Sequence, residues 1–352
     1  MPARMRSFLH LFVPAHVGNP LGLAGRMVSS GNRTALFTLW VTVLGILCIP
    51  LDMLLSFRER RLLAAAAAVP SRPTVFLCGP ARSGTTLAFQ VLCRHLDVAF
   101  LRNVTALFPR SPIVASRIHR RLSGARSARP SSYRNYYGKT SGLAGPSEAN
   151  HVWNRWVRPD ETGFRTKLPA AEAREAARFI SAFCEIDGKP MVFKNNNMNV
   201  FADVVAAAMP NVLIICLRRN PEFLAQSLLQ ARRDIHGSLA RGYGVQDVDN
   251  LCETADPIAS VCAQVAFLDR KARELQASIG PDRFWIVDYE EICRHPGGFV
   301  ASVAERLAIP LREGDESSAI DPIPVHNVVR NQDEMERIRA TLAAGDHREV
   351  NP

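Results

Sequence analysis

Apolar residues alternate along the chain between short, nearly unbroken runs and longer stretches with helical spacing. The runs predict strands at residues 74–78, 189–193, 212–217 and 284–287. The apolar side chains elsewhere recur every three or four residues, which predicts helices at residues 170–185, 198–209, 258–279, 298–307 and 332–343 and two more that begin after Gly84 and at Pro221. The alternation of strands and helices predicts an α/β fold of three layers, in which helices flank a central parallel sheet.

The most apolar part of the chain is residues 36–57, which predicts an apolar N-terminal helix ahead of the sheet. A helix of this length extends about 33 Å and could cross a bilayer. Pro50 and Asp52 argue against a spanning helix, because a charge within lipid costs a few kcal/mol. Three interpretations stay open: a spanning helix, a helix in the membrane interface, and a helix packed on the rest of the protein. We divide the chain into an N-terminal region, residues 1–70, and a main domain, residues 71–352.

Composition narrows the class of protein. Apolar residues make up 47% of the chain, which is enough for a sizeable core, and the formal net charge is +10. Nearly all the basic residues are arginine, the side chain best suited to bidentate binding of phosphate or sulfate. The eight cysteines form no Cys-x-x-Cys pair and are predicted to be reduced core residues. No nucleic-acid recognition motif accompanies the positive charge, so we predict no nucleic-acid partner.

A glycine-bounded loop follows the first predicted strand and leads into a helix. Its members are Gly79, Pro80, Ala81, Arg82, Ser83, Gly84, Thr85 and Thr86. Such a loop directs several backbone N–H groups and a helix N-terminus at one point, which favours a bound phosphate. The loop lacks the lysine that nucleotide hydrolases have after the second glycine, and the strand at 212–217 ends in arginine where a magnesium-binding acid is needed. We therefore predict no metal site.

Further polar residues follow the other strands or lie between them. Lys194 comes after the strand at 189–193, and Arg218 and Arg219 follow the strand at 212–217. Because ligands bind at the carboxyl ends of parallel strands, we expect these residues to lie near the glycine-bounded loop. Residues 98–150, rich in Arg, Ser, Gly and Pro and with a cluster of Tyr at the end, are predicted to be either a mobile insert or a lid that helps to bind an anionic or sugar-like acceptor.

Together these segments resemble the sulfotransferase superfamily, whose members use 3′-phosphoadenosine 5′-phosphosulfate (PAPS) as donor. The resemblance covers residues 74–330 and is closest to bacterial, membrane-associated members. It rests on four elements in order: the loop 79–87, Lys194 with the polar turn after it, Arg219-Asn220-Pro221 followed by Ser227, and Asp288-Tyr289-Glu290-Glu291 with Pro296.

The resemblance implies a role for each element. The loop 79–86 is expected to bind the 5′-phosphosulfate, and Arg219 and Ser227 the 3′-phosphate. Arg82 and Lys194 are expected to stabilise the charge that develops as the sulfuryl group leaves. Arg218 competes with Arg219, but side chains alternate along a strand, so only one of the two should face the ligand.

The general base is the least defined part of the predicted site. Neither the acid that many relatives carry about twenty residues after the loop nor the histidine that some carry after the lysine is present. Glu148, in a Pro-x-Glu segment like that of some bacterial members, is the first candidate, and His151 is the second. Glu148 could instead have a capping role only, and Asp97 is a weaker third candidate.

The predicted function is thus a sulfotransferase that acts without a metal on a hydroxyl of a carbohydrate, glycolipid or lipid. The apolar segment and the arginines after it predict association with the bacterial inner membrane, with the catalytic domain in the cytoplasm. Two alternatives stay open: a kinase-like phosphotransferase that requires ATP and magnesium, and a non-catalytic, membrane-associated nucleotide-binding protein on the same scaffold.

Overall fold

Five parallel strands form the centre of the molecule. The computed structural model describes residues 19–123, 133, 135–160, 165–247, 256–312, 314–316 and 320–349. In chain order its strands are β1 (Thr74–Cys78), β2 (Ala99–Phe100), β3 (Arg158–Pro159), β4 (Arg165–Lys167), β5 (Met191–Lys194), β6 (Val212–Arg218) and β7 (Phe284–Asp288). The main sheet has the order β2-β5-β1-β6-β7, and β3 and β4 form a separate antiparallel pair. The predicted parallel sheet is confirmed.

Helices cover both faces of this sheet. In chain order the helices of the described residues are α1 (Pro20–Ser29), α2 (Arg33–Leu47), α3 (Ile49–Ala65), α4 (Thr85–His95), α5 (Pro112–Ser123), α6 (Asn150–Trp153), α7 (Ala170–Asp187), α8 (Ala202–Ala208), α9 (Pro221–Ala231), α10 (Pro257–Ile279), α11 (Tyr289–Arg294), α12 (Pro296–Leu307) and α13 (Gln332–Glu349). The predicted helix at 198–209 is shorter than expected, because a 3₁₀ turn, Asn196–Val200, precedes α8.

Alternate side chains of each strand enter two different cores. Phe76 and Cys78 of β1 pack with α7 and α8, whereas Val75 and Leu77 pack with α4 and α12. All five residues of β1 are buried, as a strand in the middle of a parallel sheet requires. β1 lies between β5 and β6, so the loops that leave these three strands meet at one edge of the sheet.

The single apolar helix predicted for residues 36–57 is wrong. The chain forms two helices there, α2 and α3, which meet at an angle of 74° around Cys48. Pro50 explains the break, because it has no N–H to donate and its ring is tolerated only in a first helical turn. Within the described residues no individual helix is long and apolar enough to cross a membrane; only α2 and α3 taken together meet that criterion, as a bent pair.

Both acids of this segment face the protein. Asp52 is 0% exposed and accepts hydrogen bonds from the Arg110 amide and, at 2.7 Å, from the Ser111 hydroxyl. Glu59 is 1% exposed and accepts hydrogen bonds from the amides of Ile113 and Val114 at the start of α5. The carboxylate of Asp52, which argues against a spanning helix, therefore binds Arg110 and Ser111 within the protein.

The insert at 98–150 contains more regular structure than the sequence pattern predicts. It includes β2, a 3₁₀ turn (Asn103–Leu107) and α5. The Asn103 amide group donates hydrogen bonds to Thr140 and Gly142, which joins the two ends of the insert. Residues 124–132 and 134, which hold several of the insert's arginines, lie outside the described residues.

Candidate functional site

A cavity of about 1030 Å³ opens at the carboxyl edge of the sheet. The loops after β1, β5 and β6 contribute to its wall, together with residues 323–330 and with Tyr133, Asn135, Tyr137 and Gly138 of the insert. Nine residues predicted from sequence line it: Ala81, Arg82, Gly84, Thr85, Thr86, Glu148, Lys194, Arg219 and Ser227. The fold therefore gathers the motifs that are widely separated along the chain.

The loop between β1 and α4 has the geometry of an anion cradle. Gly79 and Gly84 have φ angles of +146° and +92°, and a side chain at Gly84 would overlap the ring of Tyr289. Arg82 also has a positive φ, of 74°, which is uncommon for a residue with a side chain. The Ser83 hydroxyl is buried and has no hydrogen-bond partner among the described residues. An unpaired donor within a loop at a helix N-terminus suits a phosphate group.

Arg82 connects this loop to α9. Its Nε donates to the Ser227 hydroxyl at 3.1 Å, and its guanidinium lies 4.6 Å from the centre of the Tyr137 ring. The Arg82 carbonyl accepts a hydrogen bond of 2.8 Å from Arg219. The predicted phosphosulfate loop and the predicted 3′-phosphate residues are thus in direct contact.

Arg219, and not Arg218, faces the cavity. Arg218 at the end of β6 points away and forms an ion pair of 2.7 Å with Asp288. Arg219 stacks over Tyr289 at 5.0 Å and donates to the His326 carbonyl and the Asn327 side chain. Burial lowers the pKa of Arg219. Since none of these acceptors is a carboxylate, an anionic ligand would supply the missing negative charge.

Lys194 and Glu148 form a buried ion pair at the opposite end of the cavity. Their Nζ and Oε2 atoms are 2.9 Å apart, and Lys194 is 2% exposed. Glu148 also accepts a hydrogen bond of 3.3 Å from the Asn196 amide, and Asn196 in turn accepts one from Thr85. Burial by itself raises the pKa of Glu148, but Lys194, Lys139 and the Asn196 amide together outweigh it and lower the pKa. Glu148 is therefore a carboxylate at neutral pH.

His151 lies in a different environment from Glu148. It lines a second cavity, of about 360 Å³, and does not line the larger one. Burial is the main cause that lowers its pKa to about 3, with Lys139 and Arg155 adding to the effect. His151 is neutral at pH 7 and binds a proton only weakly. Asp97, the third candidate base, pairs with Lys189 away from both cavities.

The two cavities share part of their walls. Ala81, Tyr137, Glu148, Asn196 and Tyr243 line both of them. Gly138, next to Tyr137, has a φ of +85°, and a side chain there would approach Thr86, Glu148 and Lys194 to within 4 Å. The junction therefore has Glu148 on its wall, with Lys194 beside it on the side of the larger cavity.

Sequence reasoning missed several residues of this site. Tyr137 stacks on Arg82 and donates a hydrogen bond to Asp234, and Tyr289 stacks on Arg219. The segment 320–330 also belongs to the site, because Gln226 binds it through the Val328 carbonyl and the Arg330 amide. Tyr289 lies within the Asp288-Tyr289-Glu290-Glu291 element, so the sequence pattern could have identified it as a residue of the site. The Tyr cluster of the insert gave no indication of which member reaches the site.

No group of three or more His, Cys, Asp or Glu side chains in the described ranges is arranged to hold a metal ion. Within the same ranges, five basic side chains line the large cavity: Arg33, Arg82, Lys194, Arg219 and Arg330. The arrangement suits a ligand with two separated anionic groups, one at the loop and one at Arg219.

Comparisons with known proteins identify the family and a similar fold. The model of the Sulfotransferase family matches residues 73–313. Sulfotransferase STF1 from Mycobacterium tuberculosis H37Rv has a similar fold, with a TM-score of 0.50 and 16% identity over 97% of this chain and 92% of its own. Sulfotransferase STF9 from Mycobacterium avium aligns with a TM-score of 0.49 and 16% identity over 82% of this chain and 71% of its own. A search of curated protein sequences found no match.

Proposed function

The chain belongs to the sulfotransferase family, and we propose that it moves a sulfuryl group from PAPS to a hydroxyl of a carbohydrate, glycolipid or lipid acceptor by in-line transfer without a metal ion. The observation that carries this proposal is the single cavity in which the loop 79–86, Arg219 and the Lys194–Glu148 pair meet. A kinase-like phosphotransferase is not favoured, since the family model that matches is a sulfotransferase.

The donor would lie between the loop and α9. The loop amides, Ser83, Thr85 and Thr86 would hold the 5′-phosphosulfate. Arg219 and Ser227 would hold the 3′-phosphate. This phosphate would give Arg219 a negatively charged acceptor in addition to its neutral backbone acceptors. PAPS supplies the sulfuryl group when it is bound.

Arg82 and Lys194 would stabilise the charge that forms as the sulfuryl group leaves. Arg82 is held in place by Ser227 and Tyr137, and Lys194 by Glu148. Donors fixed before the reaction need no reorganisation when charge develops, which is the most effective form of electrostatic catalysis.

Glu148 would accept the proton of the acceptor hydroxyl. It is ionised at neutral pH and lies where the two cavities meet, so an acceptor in the smaller cavity and a donor in the larger one could both reach it. The negative charge of a donor beside Lys194 offsets the attraction of Lys194 that lowers the pKa of Glu148, while the ion pair itself stays in place. Donor binding would therefore make Glu148 a stronger base.

Calorimetric titration with 3′-phosphoadenosine 5′-phosphate (PAP) tests the donor site. We expect tight binding that is independent of magnesium and that weakens at least 100-fold in Arg219→Ala, because the ligand loses a charge-assisted fork. Arg218→Ala is the matched control. It removes a surface ion pair with Asp288 and should leave the PAP affinity at the wild-type value. Tight binding of ATP with magnesium in place of PAP would contradict the proposal.

Transfer assays with Glu148→Gln and His151→Ala test the base. We expect Glu148→Gln to lower kcat by about 10²–10⁴-fold, the usual effect of a general base, while PAP still binds. His151→Ala should retain most of the turnover. The assignment is wrong if Glu148→Gln keeps full activity.

A further inference from the structure

The smaller cavity and the helices beside it indicate what the acceptor is. Resting on the sulfuryl transfer proposed above, we propose that the acceptor is an amphiphile, with a hydroxyl-bearing head group and an apolar chain, taken from an anionic lipid bilayer on which α2 and α3 lie.

The walls of the smaller cavity differ in polarity from side to side. Apolar side chains of α1 and α2 form one side, among them Leu23, Met27, Phe37 and Val41. The side nearest the sheet is polar and reaches Glu148 at the junction with the donor cavity. A hydroxyl at Glu148 would therefore belong to a head group on the polar side, with an apolar chain against α1 and α2.

Two buried polar atoms of this cavity are unsatisfied. The Trp153 indole N–H and the His151 Nε2 atom have no hydrogen-bond partner within the part of the chain that the structure describes. Trp153 is only 6% exposed, so its unpaired donor carries a real energetic cost. Head-group oxygens in the cavity would satisfy the indole N–H, and a head-group hydroxyl could also pair with His151.

The side of α2 that faces away from the cavity is apolar and exposed to solvent, and α3 continues this exposed apolar surface. We define the outer face as the large, exposed hydrophobic side chains of α2 and α3: Leu36, Trp40, Val43, Ile46, Leu47, Leu51, Met53, Leu54 and Phe57. Leu47 is 72% exposed and Leu54 is 65% exposed. Nine large hydrophobic side chains exposed on two consecutive helices are far more than the occasional surface residue and mark an interaction surface.

The charges around the outer face select an anionic lipid surface as its partner. Arg58, Arg60 and Arg61 of α3 are exposed beside it and form no ion pair among the described residues. The two acids of α2 and α3, Asp52 and Glu59, are both buried. The outer face thus presents apolar and positive groups only, the combination that binds in the interface of an anionic membrane. A second copy is disfavoured, because pairing this face with itself would bring arginines together.

Flotation with vesicles tests the membrane contact. Vesicles of phosphatidylcholine with 30% phosphatidylglycerol should bind the full chain at least tenfold more tightly than vesicles of phosphatidylcholine alone. The double variant Leu47→Glu/Leu54→Glu should lose this binding at least tenfold, whereas Leu122→Glu, an equally exposed leucine on α5, should retain it. Equal binding by the double variant, or a wild-type dimer that this variant disrupts, would overturn the proposal.

A second assay tests the acceptor class separately from the donor site. Protein and ³⁵S-labelled PAPS are incubated with whole membranes of the producing cells, and the products are partitioned between chloroform–methanol and water. We expect label in the lipid phase. Ala24→Trp, which narrows the smaller cavity, should reduce this label at least tenfold and leave PAP affinity within twofold, whereas Gly25→Trp, which faces open space on the same helix, should leave both unchanged.

The outcomes separate this inference from the proposed function. Label confined to water-soluble products overturns the amphiphilic acceptor but supports sulfuryl transfer. Absence of both PAP binding and label overturns the proposed function and this inference together.

Discussion

At the scale of single residues, Glu59 shows how burial opposes a charge. Glu59 belongs to α3, and its carboxylate reaches the N-terminus of α5, where it accepts hydrogen bonds from two backbone amides. Burial is nevertheless the largest influence and raises the pKa of Glu59 from 4.5 to about 7, against the lowering effect of those amides and of Arg155. The protonated side chain is therefore favoured in the folded protein over a wider pH range than in the unfolded chain.

We predict that this residue makes stability fall as pH rises. The folded pKa is above the unfolded pKa, so the contribution of Glu59 is complete below pH 4.5 and is lost between pH 4.5 and about 7. The shift corresponds to about 3 kcal/mol in the free energy of unfolding. Urea unfolding between pH 4.5 and 8 should show a smaller decline in Glu59→Gln than in wild type.

Glu175→Gln is the control for this experiment, because Glu175 is an exposed side chain on α7. Its unfolding free energy should follow wild type at every pH. If Glu59→Gln also follows wild type, the burial of a charge at residue 59 has no effect on stability.

At the scale of secondary-structure elements, the loop between β1 and α4 depends on Gly84. Its φ of +92° is one that side chains rarely adopt, and the ring of Tyr289 occupies the space that a Cβ would need. A contact between Gly84 and Tyr289 thus sets the shape of the loop, although the two residues are 205 positions apart in the sequence.

We predict that Gly84→Ala lowers the free energy of unfolding by at least about 2 kcal/mol, through backbone strain and the clash with Tyr289. PAP affinity should fall at least tenfold, because the loop amides are displaced. Gly142→Ala is a matched control: its φ is +79°, but nothing lies within 4 Å of the added Cβ. It should cost about 1 kcal/mol and leave PAP affinity unchanged. Equal losses in the two variants would exclude the Tyr289 contact as the cause.

At the scale of the whole molecule, the donor cavity joins distant parts of the chain. The loop 79–86, α9 and the segment 320–330 meet at Arg219, which donates to Arg82, His326 and Asn327. A ligand that binds only this assembled arrangement stabilises the folded state by mass action.

We predict that PAP at one hundred times its Kd raises the free energy of unfolding by about 2.7 kcal/mol. Urea unfolding with and without PAP measures this difference. Arg219→Ala at the same PAP concentration should gain almost nothing, since its Kd is much higher. A gain as large as that of wild type would mean that PAP binds elsewhere.

The sequence by itself determined four of the five strands of the main sheet, most of the long helices and the glycine-bounded loop. These features depend on local patterns: runs of apolar residues form buried strands such as β1 and β6, and glycine, proline and polar residues interrupt them. It also predicted that Lys194 and Arg219 lie at the carboxyl edge of the sheet, because in a parallel sheet that edge follows from the position of each residue after its strand.

Only the tertiary structure decided how the apolar segment packs and which residues of the insert reach the site. Pro50 breaks the apolar segment into α2 and α3, but the side of α3 that packs on the protein is set by Asp52 and Glu59, which bind groups more than 50 residues away. Tyr137 and Tyr289 reach Arg82 and Arg219 through contacts that no local pattern records. The placement of Glu148 between two cavities likewise arises from packing across the sheet. Such contacts depend on distance in space, whereas sequence periodicity reports only on neighbours along the chain.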